Sequence, residues 1–480
     1  MPNTEEISRM PIDESHIAKA DPSKNFFINM LVRDIPLQRA IIDVIDNSID
    51  AATITDSSRF DSYNIDITID ENKFVIVDNC GGMSRKIAQN YAFTFGRFPS
   101  QRTEPFAKIG NFGVGMKRTI FKIGRYFKFF SSYNDDSFFI EQDINLWIKE
   151  ERNWQFEIKD GTAQQNGYPE LPQNWHGVVI EISNLNENVR DDFKSAAYIK
   201  ILSNEIEMFL AYFINRGLKI TINRNELKPT NIEVFDESIF KPFKYCFPIT
   251  PPDSADDGQV DVSIVIGLSA RGKWDGGWYI FCNHRMIVKA DQSEATGWGT
   301  DNVFGKKYHE NYAYFRGIVY FESKNGDLLP WTTTKTGVNR DNDIYKQTLS
   351  KMASKTIPIL IFLDNVAKQK SQYSYAKKQL DYDGKYDNYI SYGEKLDEAT
   401  QGEKMYPIDI DSYSTEIILP KLDQPIVSSR ANVSIQYSVD RKLATKVKEH
   451  IEGSSYSDAG YLTFMQYIEN NNLNQDSEDE

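Results

Sequence analysis

The first clear hydrophobic pattern lies early in the chain. Apolar side chains recur there every three or four positions, which predicts a helix over 37–52 with Asp34 as its cap and Pro36 in its first turn. Alternating apolar and polar residues then predict strands at 63–69 and 74–77, separated by a short turn. The folded part of the chain is therefore expected to open with a helix followed by a hairpin.

The same two periodicities predict helices and strands over most of the remaining chain. Helices are expected at 84–94, 113–123, 192–213 and 341–366, and strands at 125–132, 136–142, 178–182, 218–223, 260–268, 277–282, 285–289 and 312–321. This mixture predicts an α/β (α+β) fold, in which a mixed sheet with helices precedes a smaller α/β region. A polar, tyrosine-rich part follows, which we expect to be mostly helical or irregular, with a disordered acidic end.

Composition and charge limit the classes of protein that fit the chain. Its 480 residues suggest about three domains. The 55 basic and 69 acidic residues give a net charge of −14, which argues against a surface that grips nucleic acid throughout. Cys80, Cys246 and Cys282 are too scattered for a disulfide framework or a zinc site. We see no secretory signal and no apolar run of membrane-spanning length, and so expect a cytoplasmic protein.

The predicted helix over 37–52 carries Asp43, Asp46, Asn47 and Asp50 at spacings that place them on one face. A solvent-exposed acidic face is one explanation. The flanking apolar residues favour another, in which these side chains line a cleft. There the amide oxygen of Asn47 would bind Mg²⁺ together with a triphosphate, and Asp43 would orient or deprotonate an attacking water. Asp46 and Asp50 would orient the groups that contact the ligand without contacting it themselves.

A carboxylate stands at the end of the second predicted strand, in the sequence IVDNCGGMS. Burying Asp78 without a partner would cost several kcal/mol, and the exocyclic amine of adenine is a suitable donor to it. Gly81 and Gly82 would let the backbone approach the base, and Met83 would pack against its flat face. An ordinary Asp-Asn turn is the alternative explanation.

A glycine-rich segment, GNFGVGMK at 110–117, precedes another predicted helix. Gly110, Gly113 and Gly115 permit positive φ and expose amide groups that cradle phosphate at a helix N-terminus, and Lys117 could add charge. The segment is not a Walker A loop, and a tight loop is the alternative. The ordered set of a helical Asn, a strand-end Asp and this glycine segment favours a nucleotide pocket.

These motifs resemble those of the GHKL superfamily of ATPases, which includes gyrase, heat-shock-ninety chaperones, histidine kinases and MutL. IIDVIDNSIDAA (41–52), DNCGGM (78–83), GNFGVGMK (110–117) and HGVVIEISNL (176–185) are similar to its first, second, lid and fourth motifs. The resemblance implies a Bergerat-fold sandwich that binds ATP and Mg²⁺, with Asn47 on the metal and Asp78 on the adenine amine. It also implies that the lid, including Val114 and Met116, binds the phosphates.

The resemblance extends into a second segment. GGWYIFCNHRMIVKA (276–290) and LLPWTTTKTGVNRD (328–341) are similar to the transducer region of MutL-like and MORC-like proteins. It implies that Lys335 reaches the γ-phosphate and senses its presence. The implied organisation is a flexible arm at 1–25, an ATP-binding domain at 26–232, a transducer-like domain at 233–368 and a C-terminal region of unknown role at 369–480.

The resemblance implies a slow ATPase that switches conformation and forms a homodimer when ATP binds, with DNA or a protein as its client. The sequence departs from the family pattern at three positions. Asp43 replaces the usual glutamate base, which could slow hydrolysis, and Val178 replaces a threonine near that base. Cys80 replaces a glycine, which is tolerable if its φ is negative. A second hypothesis is an ATP-gated binding module without catalysis, serving DNA clamping, repair or anti-phage defence. A histidine kinase fits poorly, because only His16 precedes the pocket. Lys and Arg residues between 117 and 128 offer one place for DNA to bind.

Overall fold

The computed structural model divides into two compact units, Met1–Gln424 and Pro425–Glu480. The described residues are 22–55, 59–95, 109, 113–151, 153–172, 174–236, 238–251, 258–272, 274–301, 303–379, 389–402, 413–423, 438–451, 453 and 455–471. The predicted arm and the predicted acidic tail therefore lie largely or wholly outside the described residues. Of the helices that are described, none is both long and apolar enough to cross a lipid bilayer.

An eight-stranded mixed sheet is the framework of the first half of the chain. Its strands are β1 (Asn64–Ile69), β2 (Lys73–Asp78), β3 (Gly124–Tyr133), β4 (Asp136–Asp143), β5 (Lys159–Asp160), β6 (Gly177–Leu185), β7 (Lys219–Ile222) and β8 (Asn225–Glu226). They lie in the order β5-β4-β3-β6-β2-β1-β7-β8. β1 and β7 run parallel, whereas the other neighbouring pairs are antiparallel. The strand that ends at Asp78 is thus an interior strand.

The alternating pattern of β1 and β2 buries every second residue on one face of the sheet. On β2 the buried positions are Phe74, Ile76 and Asp78. Because side chains alternate between the two faces of a strand, the pattern that builds the core also carries a carboxylate into the interior. The same hydrophobic periodicity therefore accounts for the core and for the position of Asp78.

Helices pack against the buried face of this sheet through a shared apolar core. They are α1 (Lys24–Arg33), α2 (Leu37–Thr55), α4 (Gly115–Ile123), α5 (Ile144–Lys149), α6 (Glu187–Lys194), α7 (Ala196–Phe209) and α8 (Ala211–Asn215). The short α3 (Arg85–Ile87) has no buried residue and continues into a π-helical turn over Ala88–Ala92. α2 contacts both α4 and α7. The helix with the acidic residues is therefore enclosed by its neighbours.

The helical predictions differ from the structure at several places. The helix predicted over 192–213 is divided into α6, α7 and α8. Ser195 separates α6 from α7, because its ψ of 114° is extended and its hydroxyl caps α7 by accepting a hydrogen bond from Tyr198 N. Leu210 separates α7 from α8. The sequence pattern also missed α1. Its Lys24 is buried, and the ammonium donates to the carbonyl oxygens of Trp147 and Asn153 at 2.5 and 2.6 Å.

A five-stranded mixed sheet forms the framework of the next segment. Its strands are β9 (Phe243–Ile249), β10 (Val260–Leu268), β11 (Gly277–Cys282), β12 (Arg285–Asp291) and β13 (Phe315–Glu322), in the order β12-β11-β13-β10-β9. Sequence analysis missed β9, which contains Pro248 and lies at the sheet edge, where proline is tolerated. The strand predicted from residue 312 begins at Phe315, since Glu310–Tyr312 form a 3₁₀ turn.

A long helix, α9 (Asp343–Gln379), follows the second sheet. It contains Pro358 and extends past the predicted end at residue 366. α10 (Tyr392–Glu398) packs on α9. The second compact unit contains α11 (Arg441–His450) and α12 (Tyr456–Asn470), which contact each other. The predicted mixed α/β class, with a largely helical C-terminal part, is confirmed.

Candidate nucleotide-binding site

A pocket opens between α2, the end of β2, the π-helical turn, the start of α4 and the loop that carries Lys335. The predicted site residues that line it are Asp43, Asn47, Asp50, Asp78, Gly82, Met83, Gly113, Gly115, Met116, Lys117 and Lys335. Val114 is not among the lining residues and lies directly before α4, at its N-cap. Gly110 lies outside the described residues. The fold thus gathers four separate sequence motifs around one pocket.

Asn47 is exposed on a stretch of α2 whose other residues, from 40 to 50, are buried. The carboxylic residues Asp43, Asp46 and Asp50 are only 2%, 0% and 7% exposed. They therefore do not form the solvated acidic face that the sequence left open. Asn47 also lines the pocket. Asp50 accepts a hydrogen bond from Ile109 N at 2.9 Å, which ties α2 to the start of the glycine segment.

The carboxylate of Asp78 is buried at the pocket and receives two hydrogen bonds. Ser48 Oγ donates to Oδ2 at 2.7 Å, and the Cys80 amide donates to Oδ1 at 2.9 Å. Burial raises the pKa of Asp78 to about 6, although these hydrogen bonds act in the opposite direction. At neutral pH the group is mostly ionised, which makes it a strong acceptor for an N–H donor in the pocket.

The turn after Asp78 requires glycine. Gly82 has a φ of +68°, and a Cβ atom there would lie 2.1 Å from the carbonyl oxygen of Ser132 on β3. The next residue is fixed to the same strand, because Met83 N donates to Ser131 Oγ at 2.9 Å. The close approach of this turn to β3 holds Gly82 and Met83 at the wall of the pocket.

The N-terminus of α4 also faces the pocket, through Gly115, Met116 and Lys117. Gly113 has a φ of +65°, which turns the chain into the helix, and the N-cap residue Val114 has an apolar side chain that cannot cap the helix. Amide groups at such a terminus, together with the helix dipole, favour an anion. The Lys117 ammonium donates to Ala92 O at 2.6 Å, so it joins α4 to the π-helical turn.

Lys335 lies at the tip of a tight loop that starts and ends at the bridged pair Trp331 and Val338. Thr332 N donates to Gly337 O at 3.0 Å, and Lys335 N donates to Thr332 O at 2.9 Å. Lys335 itself has a φ of +50°, a left-handed conformation that is uncommon for residues other than glycine. This loop follows the second sheet in the chain. It brings the Lys335 side chain into a pocket built mainly by residues from the region of the first sheet.

A buried ion-pair network holds this lysine in place. Lys335 Nζ donates to Asp46 Oδ2 at 2.7 Å and lies 3.5 Å from Asp43 Oδ1, while Arg285 Nε donates to Asp46 Oδ1 at 2.9 Å. Burial alone would raise the pKa of Asp46, but Arg285 and Lys335 lower it overall. Burial likewise lowers the pKa of Lys335, yet Asp46 and Asp43 raise it overall. The network therefore stays charged and joins α2 to β12 and the loop.

Sequence reasoning did not assign three residues that shape this site: Ser48, Arg118 and Arg285. Arg118 donates to Asp43 Oδ2, and Arg285 is buried beside Asp46. A signal for Arg285 was present, because an arginine inside an otherwise apolar strand needs a buried carboxylate as its partner. Nothing in the sequence distinguished Arg118 from its basic neighbours. The role of Ser48 could be assigned only once the position of Asp78 was known.

The exposed amide, the buried carboxylate beside a glycine turn and the helix N-terminus at the pocket are features typical of a nucleotide-binding site. Residues 35–174 match a family model described as histidine kinase-, DNA gyrase B-, and HSP90-like ATPase. This part of the chain is therefore a GHKL-type ATPase domain with the Bergerat fold, a class that binds ATP. A search of curated proteins found no match to the chain. The matched range contains the first three motifs and ends before Lys335.

Proposed function

We propose that this protein binds Mg-ATP in the pocket and hydrolyses it slowly, and that the γ-phosphate controls how the two sheets are joined. One observation carries the proposal: the Asp46 network places Lys335, from beyond the second sheet, in the same pocket as Asn47 and Asp78. A group so placed can respond to ligand in the first domain and transmit the response to the second.

Adenine would bind at Asp78. Its amine would donate to the carboxylate, which Ser48 and Cys80 already orient, and guanine would present a carbonyl oxygen at the same place. Loss of such a buried hydrogen bond costs about 1–3 kcal/mol, so the pocket should prefer ATP to GTP by roughly tenfold or more. Gly82 and Met83 would lie against the base.

The phosphates would lie toward the N-terminus of α4, where amide groups of Gly113, Val114, Gly115 and Met116 favour an anion. The glycine segment would close over the phosphates, and Asp50 would anchor the start of this segment through its hydrogen bond from Ile109 N. The amide of Asn47 fits a magnesium ion that keeps water and phosphate oxygens as its other ligands. That ion would neutralise part of the phosphate charge.

Asp43 would orient the attacking water and accept its proton, and Lys335 would stabilise the charge on the terminal phosphate. For that, Lys335 must exchange its carboxylate partners for phosphate, which would loosen the link between α2 and the second sheet. We propose that this change prepares a surface for association with a second copy of the chain, and then for capture of DNA or a protein client.

A binding module without turnover is the second candidate, and one observation favours it. The Asp43 carboxylate contacts Arg118 and lies 3.5 Å from Lys335, so both of its oxygens face cations in this arrangement. In that case ATP would act as a regulatory ligand. The basic cluster proposed for DNA is less suited to it, because Lys117 and Arg118 are buried.

The test is to measure Mg-ATP binding and turnover separately for the wild type, Asp43→Asn and Lys335→Ala. The proposal predicts that the wild type turns over ATP slowly and that both variants lose most of this activity while Asp43→Asn still binds ATP. ATP binding without turnover in the wild type would favour the regulatory module. If the wild type binds no ATP, both candidates are wrong.

A further inference from the structure

Arg118 is buried on α4, one turn after Gly115, and contacts two other elements. Its Nη2 donates to Asp43 Oδ2 on α2, and the same nitrogen donates to the carbonyl oxygen of Thr333 at 3.3 Å. One guanidinium nitrogen therefore joins three elements. They are α4, which we call the lid helix, α2, which carries the proposed base Asp43, and the loop that carries Lys335.

The two oxygens of Asp43 face different cations. Oδ2 accepts from Arg118, and Oδ1 lies 3.5 Å from Lys335 Nζ. Arg118 Nε is buried and makes no hydrogen bond within the described part of the chain. The contacts of Arg118 with Asp43 and Thr333 both depend on Nη2, so the direction of the carboxylate follows the positions of α4 and of the loop.

We infer that Arg118 is a positioning residue, which aligns Asp43 for hydrolysis when the lid helix and the Lys335 loop are both in place. This inference rests on the proposed hydrolysis. A shift of α4 or of the loop would turn the carboxylate away, so turnover would require both elements to be seated around the nucleotide. Nucleotide binding itself does not depend on this alignment.

Two substitutions separate the charge of Arg118 from its geometry. Arg118→Lys keeps a cation near Asp43 but lacks the planar guanidinium whose Nη2 reaches both partners, whereas Arg118→Gln removes the charge as well. Lys122→Gln is the control on the same helix, because its ammonium donates to Val32 O, away from Asp43. Thermal melting of each variant shows whether it is folded before its kinetics are compared.

Single-turnover ATP hydrolysis and ATP affinity would be measured for each variant between pH 5 and 9. We expect Arg118→Gln to hydrolyse about 10–100-fold more slowly, with ATP affinity changed less than about threefold. Arg118→Lys should also lose rate, because its ammonium cannot hold both partners, and Lys122→Gln should match the wild type.

A double variant tests whether Arg118 acts through Asp43. In the Asp43→Asn background, Arg118→Gln should cause no further loss of rate, since residues that act as a unit are not additive. An additional loss as large as that in the wild-type background would overturn the inference. So would a hydrolysis rate of Arg118→Gln that equals that of the wild type.

Hydrogen exchange without nucleotide keeps the inference testable if turnover is absent. Arg118→Gln should exchange faster than the wild type over 330–338, where the contact with Thr333 is lost, and Lys122→Gln should not. Unchanged exchange there would overturn the inference by itself. Failure of the wild type to bind ATP would instead overturn the proposed function, and with it the role of Asp43, so the two failures are distinguishable.

Discussion

Lys335 donates a hydrogen bond to Asp46 at 2.7 Å, although 289 positions separate the two residues in the chain. Asp46 also accepts from Arg285, so one buried carboxylate on α2 pairs with two cations from the region of the second sheet. Because a buried ion whose partner is removed is strongly destabilising, this carboxylate is a firm connection between the two sheets.

Asp46→Asn should therefore lower the free energy of unfolding by about 3 kcal/mol, since it leaves two buried cations without their shared carboxylate. Chemical denaturation at neutral pH measures the change. Glu157→Gln is the matched control, because Glu157 pairs with Lys159 at the surface and should contribute less than about 1 kcal/mol. Equal effects of the two substitutions would contradict the role given to Asp46.

Asp78→Asn should make the protein more stable at pH 7 while it weakens ATP binding. The folded pKa of about 6 lies above the ordinary value of 3.8, so ionisation of Asp78 opposes folding as pH rises through this range. Removing that charge should stabilise the protein by about 1–3 kcal/mol at pH 7, and the gain should shrink toward pH 4. Unfolding curves at both pH values test this, and a destabilised variant would contradict it.

The same pKa predicts that adenosine binding weakens in mild acid. With a pKa of about 6, roughly a tenth of Asp78 is ionised at pH 5, so affinity should fall about tenfold between pH 7 and 5. Adenosine is the suitable ligand because it carries no titrating phosphate. An affinity that is constant over this range would show that the adenine amine does not depend on the carboxylate.

Gly82→Ala should disrupt the pocket through both backbone conformation and contact. The positive φ of Gly82 costs about 1–2 kcal/mol for alanine, and the added Cβ would lie 2.1 Å from Ser132 O. Gly167→Ala is the matched control, because Gly167 also has a positive φ, but among the described residues nothing lies within 4 Å of its Cβ position. We expect Gly82→Ala to lose stability and ATP binding, and Gly167→Ala to lose only a little stability.

Lys24→Met should detach α1 from the residues around Trp147 on which it packs. The Lys24 ammonium lies 3.8 Å from the centre of the Trp147 ring and donates to three carbonyl oxygens, including that of Glu150 at 2.8 Å. Losing these bonds should lower the free energy of unfolding by about 2 kcal/mol and expose α1 to proteolysis. Lys149→Met, which changes an exposed lysine nearby, should leave the free energy of unfolding and the proteolysis of α1 unchanged.

The region of the first sheet could be predicted from sequence because its signals are local. Asn47 follows from helical spacing and Asp78 from strand alternation, and α2 and β2, which carry them, formed near their expected bounds. The interruption at Ser195 and the edge strand with Pro248 were missed, because a cap and an edge position depend on neighbours rather than on periodicity.

The connections between elements could not be predicted from local patterns. Asp46, Arg285 and Lys335 come from distant parts of the chain, and their pairing depends on how the second sheet packs against α2. The roles of Asn47, Asp43 and Lys335 toward ATP stay predictions.

The central claim is that Asp78 binds adenine in this pocket. Calorimetric titration of wild-type protein and Asp78→Asn with Mg-ATP and Mg-GTP tests it most directly. We predict that the wild type binds ATP and prefers it to GTP by about tenfold or more, and that Asp78→Asn stays folded but loses ATP binding. A wild type that binds no ATP, or an Asp78→Asn variant that binds it equally well, would contradict the account.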